Sequence, residues 1–248
     1  MMTGAVVLLL AALAPVDDKE DVANAVKKLV DAKSYSFKGE STLSAPGRNQ
    51  TAPAPASTTF EGKWADDVGL VVQTAQEEIV KIDGKTAVRP KAVWRVIEDG
   101  TRGARGAGMQ AAFAGRGGPG LLARAPKDDL AGIDGKLDKL TKSEKKETVG
   151  EVECAVYEAI YSADGAKSLV AGPRAGGGGN GNAEVSANAR FWLTPDGHLA
   201  KYEITSKVSR TFNNQEFTTS TSRSIRLFDV DKTKVELPEG AKEAIGQK

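Results

Sequence analysis

The residues that most often carry chemistry are scarce in this chain. His198 is its single histidine and Cys154 its single cysteine. Asp196 and Gly197 precede His198, and Asp-Gly is a turn signal, so His198 reads as a solvent-exposed turn residue. One His beside one Asp falls short of the four ligands of a structural zinc site. No Gly-x-Ser-x-Gly sequence and no Cys–His arrangement is present at a convincing place. Cys154 lies in an apolar strand pattern, where burial leaves a thiol inert. It cannot form an internal disulfide. The paired acids Asp17-Asp18 and Asp128-Asp129 stand at helix starts, where capping and the helix dipole account for them. The glycine-rich runs at 115–120 and 176–179 lack the Lys-Ser/Thr and the strand–loop–helix setting of a phosphate loop. No catalytic residue, metal ligand or cofactor is assigned.

What remains is apolar and aromatic. Trp64, Trp94 and Trp192 are the only tryptophans, each in a predicted strand. They read either as sheet packing or as the lining of an apolar groove. Both uses take the same surface. Val26 and Leu29, on a predicted helix, are the other groove candidates. Arg102, Arg105, Arg116 and Arg124 share one Gly/Ala-rich loop, read as a plain loop or as one that touches an anionic partner.

These residues need elements to hold them. In DVANAVKKLVDA, Val22, Val26, Leu29 and Val30 recur at helical spacing, with acids in the first turn and lysines later. The period then changes to two. Tyr35, Phe37, Gly39 and Ser41 fall on one face of a strand, and Phe60, Gly62 and Trp64 on one face of the next. GLVVQTA follows, then EEIVKIDGKTAVRP, in which Asp83-Gly84 marks a hairpin. KAVWRVIED reads as a further strand. Residues 127–146, with Leu130, Ile133, Leu137 and Leu140, read as partly helical. TVGEVECAVYEAIYS reads as one strand, with Val152, Cys154 and Val156 opposite Tyr157. ARFWLTPDGHLAKYEITSKVSR reads as strand, Asp196-Gly197 turn, strand. QEFTTSTSRSIRLFDV is a strand dense in Thr and Ser, residues that suit a sheet surface. A short edge strand over Asp231 to Leu237 and a short helix in AKEAI end the chain. Strands that follow one another without crossover helices pair antiparallel. The expected architecture is mainly β, in the α+β class. It is a curved antiparallel sheet or unclosed barrel of about eight to ten strands wrapped over two or three helices.

The 248 residues suit one domain. The 34 Lys and Arg nearly balance the 33 Asp and Glu, so no broad field draws the chain to nucleic acid. Residues 5–14, AVVLLLAALA, would rise only about 15 Å as a helix, half of a bilayer core. The run has the length of a signal-peptide apolar region, and Ala12-Leu13-Ala14 is a small-x-small cleavage pattern. The expectation is a signal peptide over 1–14, cut between about 14 and 20, and an exported, periplasmic chain. Residues 15–248 then form one domain with flexible insertions at 44–58, 100–126 and 171–188. Their Pro, Ala, Gly and Ser content cannot offset ordering entropy.

The order of elements resembles the lipoprotein-carrier-like superfamily, which includes the periplasmic carrier of outer-membrane lipoproteins. The segments that carry the likeness are DVANAVKKLVDAKSYSFKGE, ETVGEVECAVYEAIY with Val149, Gly150 and Cys154, RFWLTPDGHLAKYEI, and the closing FDVDKTKVELPEGAKEAI. Together they cover about two-thirds of the chain. The resemblance implies an unclosed barrel over helices with a cavity for acyl chains. The three insertions and the 6% aromatic content depart from that pattern. Two functions stand. One is an exported, non-enzymatic carrier of an apolar ligand, such as lipid or the acyl chains of a lipoprotein. The other is a structural or protein-interaction module of the envelope with no small ligand, in peripheral contact with membrane or envelope proteins. The oligomeric state is not set by these residues.

Overall fold

The computed structural model describes residues 18–44, 55–90, 92–97, 122–170, 183–212 and 215–246. Helix α1 (Asp18–Asp31) opens it. Its apolar stripe buries Val22, Ala25, Val26 and Leu29. Val30, expected on that stripe, is 42% exposed, and Ala25 lies where it was placed. One step of 100° turns Val30 away from Leu29.

Twelve strands follow: β1 (Ser34–Ser44), β2 (Ala56–Ala65), β3 (Gly69–Thr74), β4 (Glu77–Ile82), β5 (Lys85–Pro90), β6 (Arg95–Ile97), β7 (Leu137–Lys142), β8 (Glu147–Val149), β9 (Val152–Tyr161), β10 (Glu184–Leu193), β11 (Leu199–Phe212) and β12 (Gln215–Phe228). Three short helices join them: α2 (Pro126–Leu130), α3 (Ala163–Val170) and α4 (Ala241–Ile245). All pairs are antiparallel, in the order β6-β5-β4-β3-β2-β1-β12-β11-β10-β9-β7, with β8 also on β9. The first and last strands of that order do not pair, so the sheet is not closed. The described strands outnumber the expected eight to ten, and the described helices number four rather than two or three.

Two differences explain the extra strands. Leu137 and Leu140 lie in β7, not in a helix. Their pairing with Tyr161 and Ala159 of β9 overrides a spacing of three. The segment read as one strand from Thr148 is two, because Gly150 (φ 67°) turns the chain between β8 and β9. The Asp83-Gly84 hairpin forms as read, with φ of 49° and 78°, both left-handed as a two-residue turn requires. Asp231 to Leu237 forms no strand; the chain turns at Asp229 and Asp231 (φ 51° and 59°) and continues as extended coil.

Of the stretches expected to be flexible insertions, 45–54, 100–121 and 171–182 lie outside the described residues, as do the signal run and residues 15–17 of its cleavage region. The described ends of those stretches belong to elements. Ser44 closes β1, Ala56 opens β2 and Glu184 opens β10. Leu122, Ala123 and Ala125 are buried in the core.

The two faces of the sheet differ. The inner face carries the main core, from Tyr35 and Phe37 on β1 through Val72 and Ile79 to Tyr157, Phe191, Tyr202 and Ile225. Helices α1 and α3 lie on this face, against β7 and β9 to β11. Few aromatics suffice because glycines let them spread. Phe60 faces Gly39 across the β1–β2 ladder, and Phe37 faces Gly62. A Cβ on Gly39 would lie 2.6 Å from the Phe60 ring. The outer face is mostly polar. Ser57, Thr42, Ser222, Thr205 and Asn188 align in one row across five strands.

Candidate functional site

The inner face is the first place to look for a ligand surface. Phe60, Trp64, Leu70, Val72, Ile79 and Val88 project from β2 to β5 and belong to the same core as α1. They are buried, and α2 reaches their edge, where Lys127 Nζ stands 3.5 Å from the centre of the Trp64 ring. The β9–β11 part is filled by Tyr157, Phe191 and Tyr202 under α1 and α3.

The five groove candidates do not form one surface. Val26 and Leu29 on α1 and Trp64 on β2 share the main core. Trp192 points outward from β10. It packs with Cys154 and Val156, and its indole N–H donates to Glu147 Oε2 at 2.9 Å. Glu147 also accepts from Arg190 Nη2 at 2.7 Å. These two bonds hold the Glu147 carboxyl below its usual range, the indole bond first. Trp94 precedes β6 rather than lying in a strand. It sits on the outer face beside Leu237 and α4, donating to Glu239 O at 2.9 Å.

Sequence reasoning passed over a buried carboxylate. Asp129 was read as a helix-start residue. Its carboxylate instead lies inside the core, 6% exposed. Tyr202 Oη donates to Asp129 Oδ2 at 2.8 Å, and Arg223 Nε lies 3.0 Å from the same oxygen. Arg124 Nε is 3.5 Å from Oδ1, and Arg223 Nη2 donates to Arg124 O at 2.8 Å. Burial raises the Asp129 carboxyl pKa, against the pull of both guanidinium groups. Burial likewise raises the phenols of Tyr35, Tyr161 and Tyr202. One signal was available. Arg223 has the parity of Ile225 and Leu227, so a charge on the core side of β12 demanded a buried partner.

A cleft of about 340 Å³ opens where the β2–β3 turn, the β4–β5 turn, the start of α2 and the coil before α4 meet. Trp64, Leu70 and Ala125 line it and also belong to the core. The charged lining is mixed: Asp66, Asp67, Asp83 and Asp128 with Lys81, Lys127 and Lys242. Tyr35 stacks on Trp64 at 5.1 Å between ring centroids, and Lys127 Nζ stands 3.5 Å from the centre of the same indole.

Other candidates resolve simply. His198 is an exposed turn residue, 3.7 Å from Asp196. Cys154 is fully buried, and burial pushes its thiol pKa up. Arg124 is the described member of the arginine group. Arg102, Arg105 and Arg116 lie outside the described residues, as do the glycine runs. Among the described residues no group of three or more His, Cys, Asp or Glu could hold a metal, and no helix is long and apolar enough to cross a membrane.

No family model and no characterised protein matches the chain. Solved structures do. The lipoprotein LppX of Mycobacterium tuberculosis is 9% identical, with 88% of this chain and 97% of that one covered and a TM-score of 0.49. LprF of Mycobacterium bovis is 10% identical, covering 90% and 96%, with a TM-score of 0.43. An outer-membrane-lipoprotein-sorting protein domain from Vibrio parahaemolyticus is 9% identical, covering 93% and 100%, with a TM-score of 0.31.

Proposed function

We propose that this protein is an exported, non-enzymatic carrier that holds an apolar chain against the inner face of its sheet. The observation that carries the reading is the β2–β5 surface of Phe60, Leu70, Val72, Ile79 and Val88. It is apolar, continuous with the core and buried, so a chain held there takes the place of the segment that covers it. Apolar contact is non-directional and scales with area, so such a surface selects for chain length rather than for a functional group. Each added methylene that leaves water contributes about 0.8 kcal/mol.

Titration of the purified protein with fatty acids of increasing length tests this. Two more methylenes should tighten binding roughly tenfold until the surface is covered. Val72→Phe should lower the length at which affinity stops rising. Binding that is weak and independent of length sinks the carrier reading.

A second reading is an envelope interaction module with no small ligand. The filling of the β9–β11 part by Tyr157, Phe191 and Tyr202 favours it, because a packed layer leaves no room for a chain. The same titration separates the two.

A further inference from the structure

We infer that the cavity at the β3–β4 turn takes the ammonium end of a cationic amphiphile, with Glu77 as its partner. The inference rests on the carrier reading for the apolar part of the ligand, while the cavity has its own grounds. It holds about 650 Å³, within the range of small-ligand sites, and Thr74, Glu77, Glu78, Arg89 and Pro90 line it. Glu77 stands two residues from Ile79 on β4 and so shares its inner face. On that face Phe60 is paired with Thr74 and, across the turn, Glu77 with Pro90. The next row is Val72, Ile79 and Val88, all buried. The cavity therefore opens where the apolar β2–β5 surface ends.

What the cavity offers a ligand follows from which of its polar groups are already used. Arg89 is paired with Glu78, and its guanidinium also stands 5.1 Å from the centre of the Trp94 ring. Thr74 Oγ1 serves its own turn. It accepts from the Gln76 and Glu77 amides at 3.1 and 3.0 Å and donates to Glu77 O at 3.2 Å. Of these side chains only the half-buried Glu77 carboxylate has no hydrogen bond or ion pair among the described residues. Burial raises its pKa, and no donor or cation opposes that. Such a carboxylate has lost part of its hydration without compensation. A cation brought to it restores the balance, and a second anion does not. A bare metal ion needs several oxygen ligands and finds one carboxylate here. An ammonium on an apolar chain brings three N–H donors as the chain settles on the adjoining surface.

Calorimetry on the purified full-length protein with decylammonium, decanol and decanoate tests the site, because the three share a chain and differ at its end. At neutral pH decylammonium should bind about fivefold tighter than decanol, the upper end for an ion pair that water partly reaches, and decanoate more weakly than decanol. Glu77→Gln keeps the shape of the side chain and should bring decylammonium level with decanol. Its melting temperature should not fall, because no partner loses a bond. Equal affinity for the three ends in the wild type overturns the site. If affinity then still rises from decylammonium to dodecylammonium, the carrier reading stands without it. An ammonium preference that survives Glu77→Gln overturns the assignment to Glu77. A preference that Glu77→Gln removes, with no gain from decylammonium to dodecylammonium, supports the site and overturns the carrier reading. Failure of all the probes to bind overturns both.

Discussion

Arg223 of β12 reaches across the inner face to Asp129 of α2, Nε to Oδ2 at 3.0 Å, and both side chains are almost wholly buried. The pair ties a five-residue helix to the middle of the sheet. Such a helix has too few backbone bonds to persist alone. Its place depends on Leu130, which is fully buried, and on this ion pair.

Removing one partner leaves an uncompensated charge in the core. Asp129→Ala should therefore cost about 3–5 kcal/mol. The double variant Asp129→Leu with Arg223→Met replaces the pair by apolar volume and should recover most of that loss. Urea denaturation of Asp129→Leu, Arg223→Met and the double variant measures the cycle. Additive losses would show that the two side chains do not act as a pair.

Gly62 lies directly under the Phe37 ring, where a Cβ would collide with three ring carbons. Gly62→Ala should destabilise by about 1–3 kcal/mol through displacement of that ring. Gly135 has open space around its Cβ position. Gly135→Ala should change stability by less than about 0.5 kcal/mol, as a surface substitution does. Thermal melts of the two variants check the contrast.

Glu147 clips β8 to the outer face through Trp192 and Arg190, and both bonds favour its ionised form. Its folded pKa lies below the usual carboxylate value, the Trp192 bond contributing most. The sign follows. The unfolded chain binds the proton first as pH falls, so the contribution is whole above the ordinary carboxylate range. It is lost as pH falls through the lowered folded value. Fluorescence from Trp192, isolated by replacing Trp64 and Trp94 with Phe, should change across that acid window. Glu147→Gln should abolish the transition.

Cys154 is fully buried. It is buried between Val156 and Trp192, and its thiol pKa is raised by that burial. Iodoacetamide should label the native protein very slowly at neutral pH and label the urea-unfolded chain at the rate of a free thiol. Fast labelling of the native protein would show that the β8 hairpin opens readily.

Some of this molecule was present in the order of its residues. The alternation of Tyr35, Phe37 and Ser41 named the buried side of β1, because successive strand side chains point to opposite faces. The turns at Asp83-Gly84 and Asp196-Gly197 were equally local, since a left-handed backbone position is a property of one or two residues. The stripe of Val22, Val26 and Leu29 placed α1 against a core for the same kind of reason.

Leu137 and Leu140 show where local pattern stops. A spacing of three suits a helix as well as it suits nothing in particular, and pairing with β9 decided the matter. Trp64, Trp94 and Trp192 look alike in sequence, yet one lies in the core and the others in two outer clusters. Asp129 and Arg223 are 94 positions apart in a chain whose fold alone brings them to 3.0 Å. Lys127 and Trp64 likewise meet only because α2 returns to the rim of β2. Alternation, helical stripe and turn are set by neighbours along the backbone. Ion pairs, stacked rings and clefts are set by which strands lie side by side, and no short window of sequence contains that.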